Sequence, residues 1–152
     1  MGYSLVEEAD GEITALTWGV LAPGHRLSLG HRLHFIHTEL LELMERWKPT
    51  QVAVEEPFVA LNAKTAIAIG QAQAVVLVAA ASRGMVTARY APSEVKLAAA
   101  GYGGSSKEQI QRSVCMQLGI EDSDIAEDAA DALAVALCHI RAMAEKQVLA
   151  QG

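Results

Sequence analysis

Three carboxylates are the residues of this chain best suited to chemistry. Glu55 ends QVAVE (51–55), which reads as a short strand, central in a sheet because Ala53 lies between Val52 and Val54. Open α/β sheets tend to place ligand sites at the C-terminal ends of their strands. A glutamate held there without a partner is costly, so it wants a cation, a metal or a proton. The plainer alternative is a strand-end residue already in water, with Glu56 beside it. Asp128 and Asp131 stand three apart, so on a helix their side chains share a face near its first turn. Two like charges there repel each other unless a cation lies between them, and a divalent ion with oxygen ligands would serve. Acids also favour a helix N-terminus through its macrodipole. The run EDAADALAVAL (127–137) surrounds them with alanine and leucine, which lets the helix lie close to a sheet.

The other reactive residue types are less promising. His31, His34 and His37 fall at i, i+3 and i+6 of one helix, with His31 and His34 pointing away from its apolar stripe. Zinc would need thiolates or more histidines on that face, and none is evident. His139 lies two turns past Asp131, about 12 Å along the axis. That is too far for a shared ion, so His139 reads as structural. There is no GK[ST] phosphate loop, no GxSxG and no Cys-His pair at a useful spacing.

The elements that must position the acids follow from pattern. Tyr3 to Glu7 and Ile13 to Leu21 read as two strands of a hairpin turning at Asp10-Gly11. Apolar residues at Leu33, Ile36, Leu40, Leu43, Met44 and Trp47 predict a helix from Leu29 to Lys48, stopped before Pro49. Asn62 to Arg83 reads as a long helix that is apolar nearly all round. Such a helix needs burial on several sides, against a sheet and a partner subunit. Met85 to Tyr90 is a further strand, and Pro92 opens a short helix through Ala99. Ser105 and Glu108 suggest a capping box for a helix ending at Gly119, and Asp124 and Glu127 one for a last helix over 125–147. A hairpin followed by alternating helices and strands predicts an α/β fold, a mixed sheet with helices packed on it.

Composition bounds the rest. The 152 residues suit one domain, 1–152, and 51% hydrophobic with 20% charged residues excludes disorder. The longest unbroken apolar run, Ala74 to Ala81, is far short of the roughly 18 residues of a membrane span. No basic n-region followed by an apolar h-region opens the chain, so no signal peptide is expected. Cys115 and Cys138 read as buried free thiols in a reducing cytoplasm. The net charge is −6, but unevenly spread. Residues 57–119 hold six Lys/Arg against two Asp/Glu, while both flanks are acidic. A basic middle can bind a polyanion locally; an ordinary solvated surface is the alternative.

Taken together, these segments resemble the RuvC-type Holliday-junction resolvases. AVEEPFVALNAKTAIAIGQAQA (53–74) is similar to the region around the family's second catalytic acid. APSEVKLAAAGYGGSSKEQIQRSV (91–114) resembles its DNA-facing region, and EDAADALAVALCH (127–139) its final catalytic helix. MGYSLV at the start resembles the latter half of the family's first strand. The likeness runs in order over essentially the whole chain.

The resemblance implies an RNase H-like fold with helices on both sheet faces, and a cytoplasmic homodimer. Each subunit would cut one strand of a four-way DNA junction by Mg²⁺-dependent hydrolysis, with Mn²⁺ as the alternative ion, in recombination and repair. The RuvA–RuvB branch-migration complex is the implied protein partner. Glu55, Asp128 and Asp131 match catalytic metal ligands. Phe58 matches an aromatic near the exchange point, where it would stack on an unstacked base; a core phenylalanine is the alternative. Lys96 and Lys107 match basic positions near phosphates. The helix from Asn62 matches the dimer-facing helix. The family's first strand, roughly GIDPG, carries a further metal-binding aspartate. The chain opens inside that strand, so the expectation is either a start lying upstream or a specialised, catalytically silent copy. Gln73-Ala74 replaces a frequent Arg-Gly of the family. A nuclease acting on RNA is the other reading on the same fold.

Overall fold

The structure, a computed structural model, describes residues 1–57, 62–101, 103–121 and 125–151. Strands β1 (Gly2–Ala9) and β2 (Glu12–Val20) form the expected hairpin. Asp10 and Gly11 both take positive φ, 54° and 82°, the backbone of a two-residue turn whose twist matches its strands. Helix α1 (Leu29–Trp47) follows, then β3 (Gln51–Glu55), α2 (Ala63–Ser82), β4 (Val86–Tyr90), α3 (Pro92–Ala100), α4 (Lys107–Leu118) and α5 (Glu127–Gln151).

Most boundaries match the sequence reading to within one or two residues, and two details differ. The cap of α4 is Ser106, whose hydroxyl accepts from the Gln109 N–H while the Gln109 side chain accepts from the Ser106 N–H. The capping box is therefore Ser106–Gln109, one residue later than Ser105–Glu108. Helix α5 runs four residues beyond the expected Gln147. Asp124, expected to cap it, lies outside the described residues, as does Phe58.

Both kinds of strand pairing expected of a mixed sheet are present. β1 pairs antiparallel with β2, and β3 pairs parallel with β4, with Glu55 opposite Tyr90. Among the described residues the two ladders are not hydrogen-bonded to each other; α5 packs across both. Strand alternation sorts side chains between two cores, as a period of two requires. Val52 and Val54 join Ile36, Leu40, Met44, Val76 and Ala79 against α1 and α2. Ala53 and Ala88 face the other core, built on Val95, Val114, Leu133 and Leu137 of α3, α4 and α5. Helices thus cover both faces. Cys115 and Cys138 are buried, and loss of hydration pushes the Cys138 thiol up to about 11.

Two close approaches set how α5 meets the sheets. A side chain on Gly2 would strike the Asp128 carbonyl oxygen, 1.7 Å from where its Cβ would stand. Only glycine permits β1 to lie this near the start of α5. Under β3 and β4, Ala53 and Ala88 are paired side by side, a flat floor for α5.

Helix α2 buries a single side within the chain, through Val76, Ala79 and Ala80. Ile67 and Val78 remain 61% and 60% exposed. Its 20 residues, with a mean hydropathy of 1.6, are long and apolar enough to cross a membrane. The apolar run from Ala74 understated this, because small residues extend the stretch on its N-terminal side. Core helices of soluble proteins meet the same criterion.

Candidate active site

Glu55 closes β3 where the parallel ladder ends. The strand is short because Pro57 follows, and proline has no N–H for the ladder. Gln73 of α2 donates its side-chain amide to the Glu55 carbonyl oxygen at 2.6 Å, fixing the backbone that carries the acid. The Glu56 N–H donates to the Tyr90 carbonyl, 2.8 Å away, and its carboxylate pairs with Arg89 at 3.6 Å. Loss of hydration raises the Glu55 carboxyl above its ordinary range. The negative charge of Asp131 raises it further, while Lys96 and Lys107 pull it down.

Asp131 approaches from α5, one turn in from the N-terminus. Its carboxyl is also raised, first by loss of hydration and then by Asp128, with Lys107 opposing both. Lys107, the first residue of α4, bonds Glu127 and stands 3.7 Å from Asp131 Oδ2. Asp128 is more exposed, with the α-ammonium of Met1 3.9 Å from its Oδ2.

The structure therefore brings Glu55, Asp131, Lys96 and Lys107 into one electrostatic neighbourhood at the strand end. Asp128 flanks it and turns toward Met1. Among the described residues no three Asp, Glu, His or Cys side chains converge closely enough to hold an ion by themselves. The donor set still suits a hard divalent cation, because every member is a carboxylate oxygen. Two acids with raised values beside a lysine ammonium mark a place that wants positive charge.

Two participants escaped the sequence reading. Glu127, read as a capping residue, bonds Lys107 beside Asp131. Gln73, read as the loss of a phosphate contact, supports Glu55. Neither had a signal in spacing, since each acts through a residue far along the chain. The histidines on α1 stay apart from the acids: Ser28 and His31 share a hydrogen bond at the helix start, and His34 and His37 line an apolar groove with Val75 and Val78 of α2. His139 is structural as expected, bonded to Tyr90 and Gln51.

Residues 1–139 match the family model described as crossover junction endodeoxyribonuclease RuvC. A protein of that name from Dehalococcoides mccartyi is 41% identical over 152 residues, all of this chain and 91% of the relative. One from Moorella thermoacetica is 46% identical over 139 residues, 91% of this chain and 83% of the relative. Among solved structures, T. thermophilus RuvC in complex with Holliday junction substrate superposes with a TM-score of 0.84 at 34% identity. It covers 91% of this chain and 85% of its own. With the RNase H-like architecture and the strand-end acids already in place, these likenesses show that the chain belongs to the RuvC family of crossover junction endodeoxyribonucleases.

Proposed function

We propose that the protein is a structure-selective endonuclease that resolves four-way DNA junctions by Mg²⁺-dependent hydrolysis, with Mn²⁺ as a working substitute, in recombination and repair. The observation that carries the reading is the pairing of Glu55 and Asp131, two raised carboxyls at a strand end beside Lys96 and Lys107. A divalent ion bound there would lower the pKa of a water and stabilise the leaving oxyanion. The residues to hold it are Glu55 and Asp131, with Asp128 reaching in from the same helix end. Lys107, released from Glu127 and Asp131, and Lys96 have the charge to hold phosphates on either side of the cut. Phe58, three residues past Glu55, is assigned to stacking on a base at the branch.

The partner subunit is a second copy of the chain, seated on the exposed apolar face of α2. Ile67 and Val78 there support the pairing, and a dimer suits a junction of two like strands. The RuvA–RuvB complex and a cytoplasmic setting belong to the same reading.

A second reading is a junction-binding protein that does not cut. It is favoured by the spread of the acids, since among the described residues no three Asp, Glu, His or Cys side chains converge closely enough to hold an ion. One assay separates the two. Residues 1–152 and the same chain extended by a GxDxG strand are each given a four-way junction and Mg²⁺. Paired symmetric nicks, stronger in the extended chain, support the nuclease. Junction binding without nicks in either chain overturns it in favour of the silent reading.

A further inference from the structure

His139 makes two hydrogen bonds that the acid site does not use. Its Nδ1 meets the Tyr90 hydroxyl at 2.8 Å, and its Nε2 meets Gln51 Oε1 at 3.0 Å. The amide oxygen of Gln51 only accepts, so Nε2 carries the proton and donates. In the neutral ring Nδ1 then accepts from the Tyr90 hydroxyl. The Tyr90 and His139 rings also meet edge to face, with centroids 5.8 Å apart. One side chain of α5 thus ties the first residue of β3 to the last residue of β4.

The spans of helix and strand are matched. From Asp131 to His139 is eight helical steps, about 12 Å. From Gln51 to Glu55 is four strand steps, about 13 Å. With His139 bonded to Gln51, α5 runs antiparallel to β3 and Asp131 arrives at the Glu55 end. Where α5 crosses β3 and β4, Ala53 and Ala88 are small side chains, and the directional contacts to that ladder are made through Gln51 and Tyr90. Helix α5 is also held by β1, α3 and α4, and the His139 bonds add a directional stop on the β3–β4 side.

We infer that the His139–Gln51–Tyr90 clasp sets the axial register of α5 against β3, making His139 and Gln51 positioning residues for the acid pair. Its bearing on cleavage rests on the nuclease reading; the register itself is a property of the free chain. Both are tested with His139→Leu and Gln51→Leu, which lose the bond, and Gln51→Glu, which keeps an acceptor. The added charge of Gln51→Glu lies more than a Debye length of about 8 Å from Glu55.

The first measurement is methyl NMR of the free full-length chain. In wild type and Gln51→Glu the Ala53 and Ala88 methyls should see the same methyls of Ala129, Ala130 and Ala134. In the two leucine variants that pattern should shift along the helix. The second is single-turnover junction cleavage, expected to fall about tenfold in the leucine variants, with junction affinity unchanged and Gln51→Glu near wild type. Should His139→Leu fail to fold, Gln51→Leu, at the end of a strand, carries the comparison. An unchanged methyl pattern with unchanged cleavage overturns the inference. A wild-type chain that does not cut counts against the nuclease reading alone, and the methyl pattern still decides the register.

Discussion

Glu55 and Asp131 carry raised carboxyls for the same two reasons, lost hydration and a like-charged neighbour. A carboxyl raised in the folded chain holds its proton more tightly there than in the unfolded chain. Its stabilising contribution is complete below the ordinary carboxylate range and is lost as pH rises through the raised value. The metal-free protein should therefore gain stability on mild acidification relative to Glu55→Gln, which has no carboxyl to protonate at that position. At neutral pH the amide should melt slightly higher than wild type, the margin being small because Glu55 is exposed and screened by solvent. Calorimetry at two pH values checks both signs; a lower melting point for Glu55→Gln at neutral pH would show that the acid is structural. The same variant, and Asp131→Asn, should lose metal-dependent cleavage while retaining junction binding in a gel-shift assay. Loss of binding together with cleavage would contradict the ligand role.

Among the elements, α5 positions the site, and its N-terminal turn is held by contact with β1. Gly2 allows that contact because it has no Cβ. Gly2→Ala must move either β1 or the first turn of α5, which carries Asp128. Overpacking of this kind costs about 1–3 kcal/mol, and thermal unfolding should register it as a lower melting temperature. A Gly2→Ala chain of wild-type stability would mean that β1 stands farther from α5 than described. Helix α2 makes the opposite kind of prediction. Val78 is exposed and lines the groove with His34 and His37, so Val78→Glu should leave the monomer fold intact. It should weaken the proposed dimer at least about tenfold, or 1.4 kcal/mol, as read by sedimentation. An unchanged dimer would place the partner on another face.

For the whole molecule, the charge distribution matters more than its sum. The chain carries −6 overall, yet its middle segment holds six Lys/Arg against two Asp/Glu. Lys96 and Lys107 from that segment stand at the acid site and moderate its repulsion. Binding led by phosphate contacts releases counterions, so junction affinity should fall steeply with salt. A footprint of about six phosphates gives a roughly 10³-fold loss between about 50 and 200 mM. Fluorescence anisotropy with a labelled four-way junction and a linear duplex of equal length tests this, with the junction bound more tightly throughout. Equal affinity for the two DNAs at every salt concentration would remove the case for junction selectivity.

The order and span of the elements follow from local chemistry, and so were legible in the residues. Proline and glycine punctuation, the Asp10-Gly11 turn and the 3.6-residue spacing of α1 each act within a few residues. The placing of Glu55 at a strand end and of Asp131 near the start of a helix was legible too, because both follow from local pattern. What the tertiary structure decided is everything that depends on contacts across long separations. Gln73 reaches Glu55 across 18 residues, Lys107 reaches Glu127 across 20, and His139 reaches Gln51 across 88. Side chains that act through a distant partner leave no periodicity to read. The same holds for Asp128, whose spacing from Asp131 put both acids on one face. Asp131 still feels the Asp128 charge across that face, and packing of β1 adds Met1 as a further neighbour, because the position of a side chain on its helix fixes a direction and only the neighbouring element fixes what it meets.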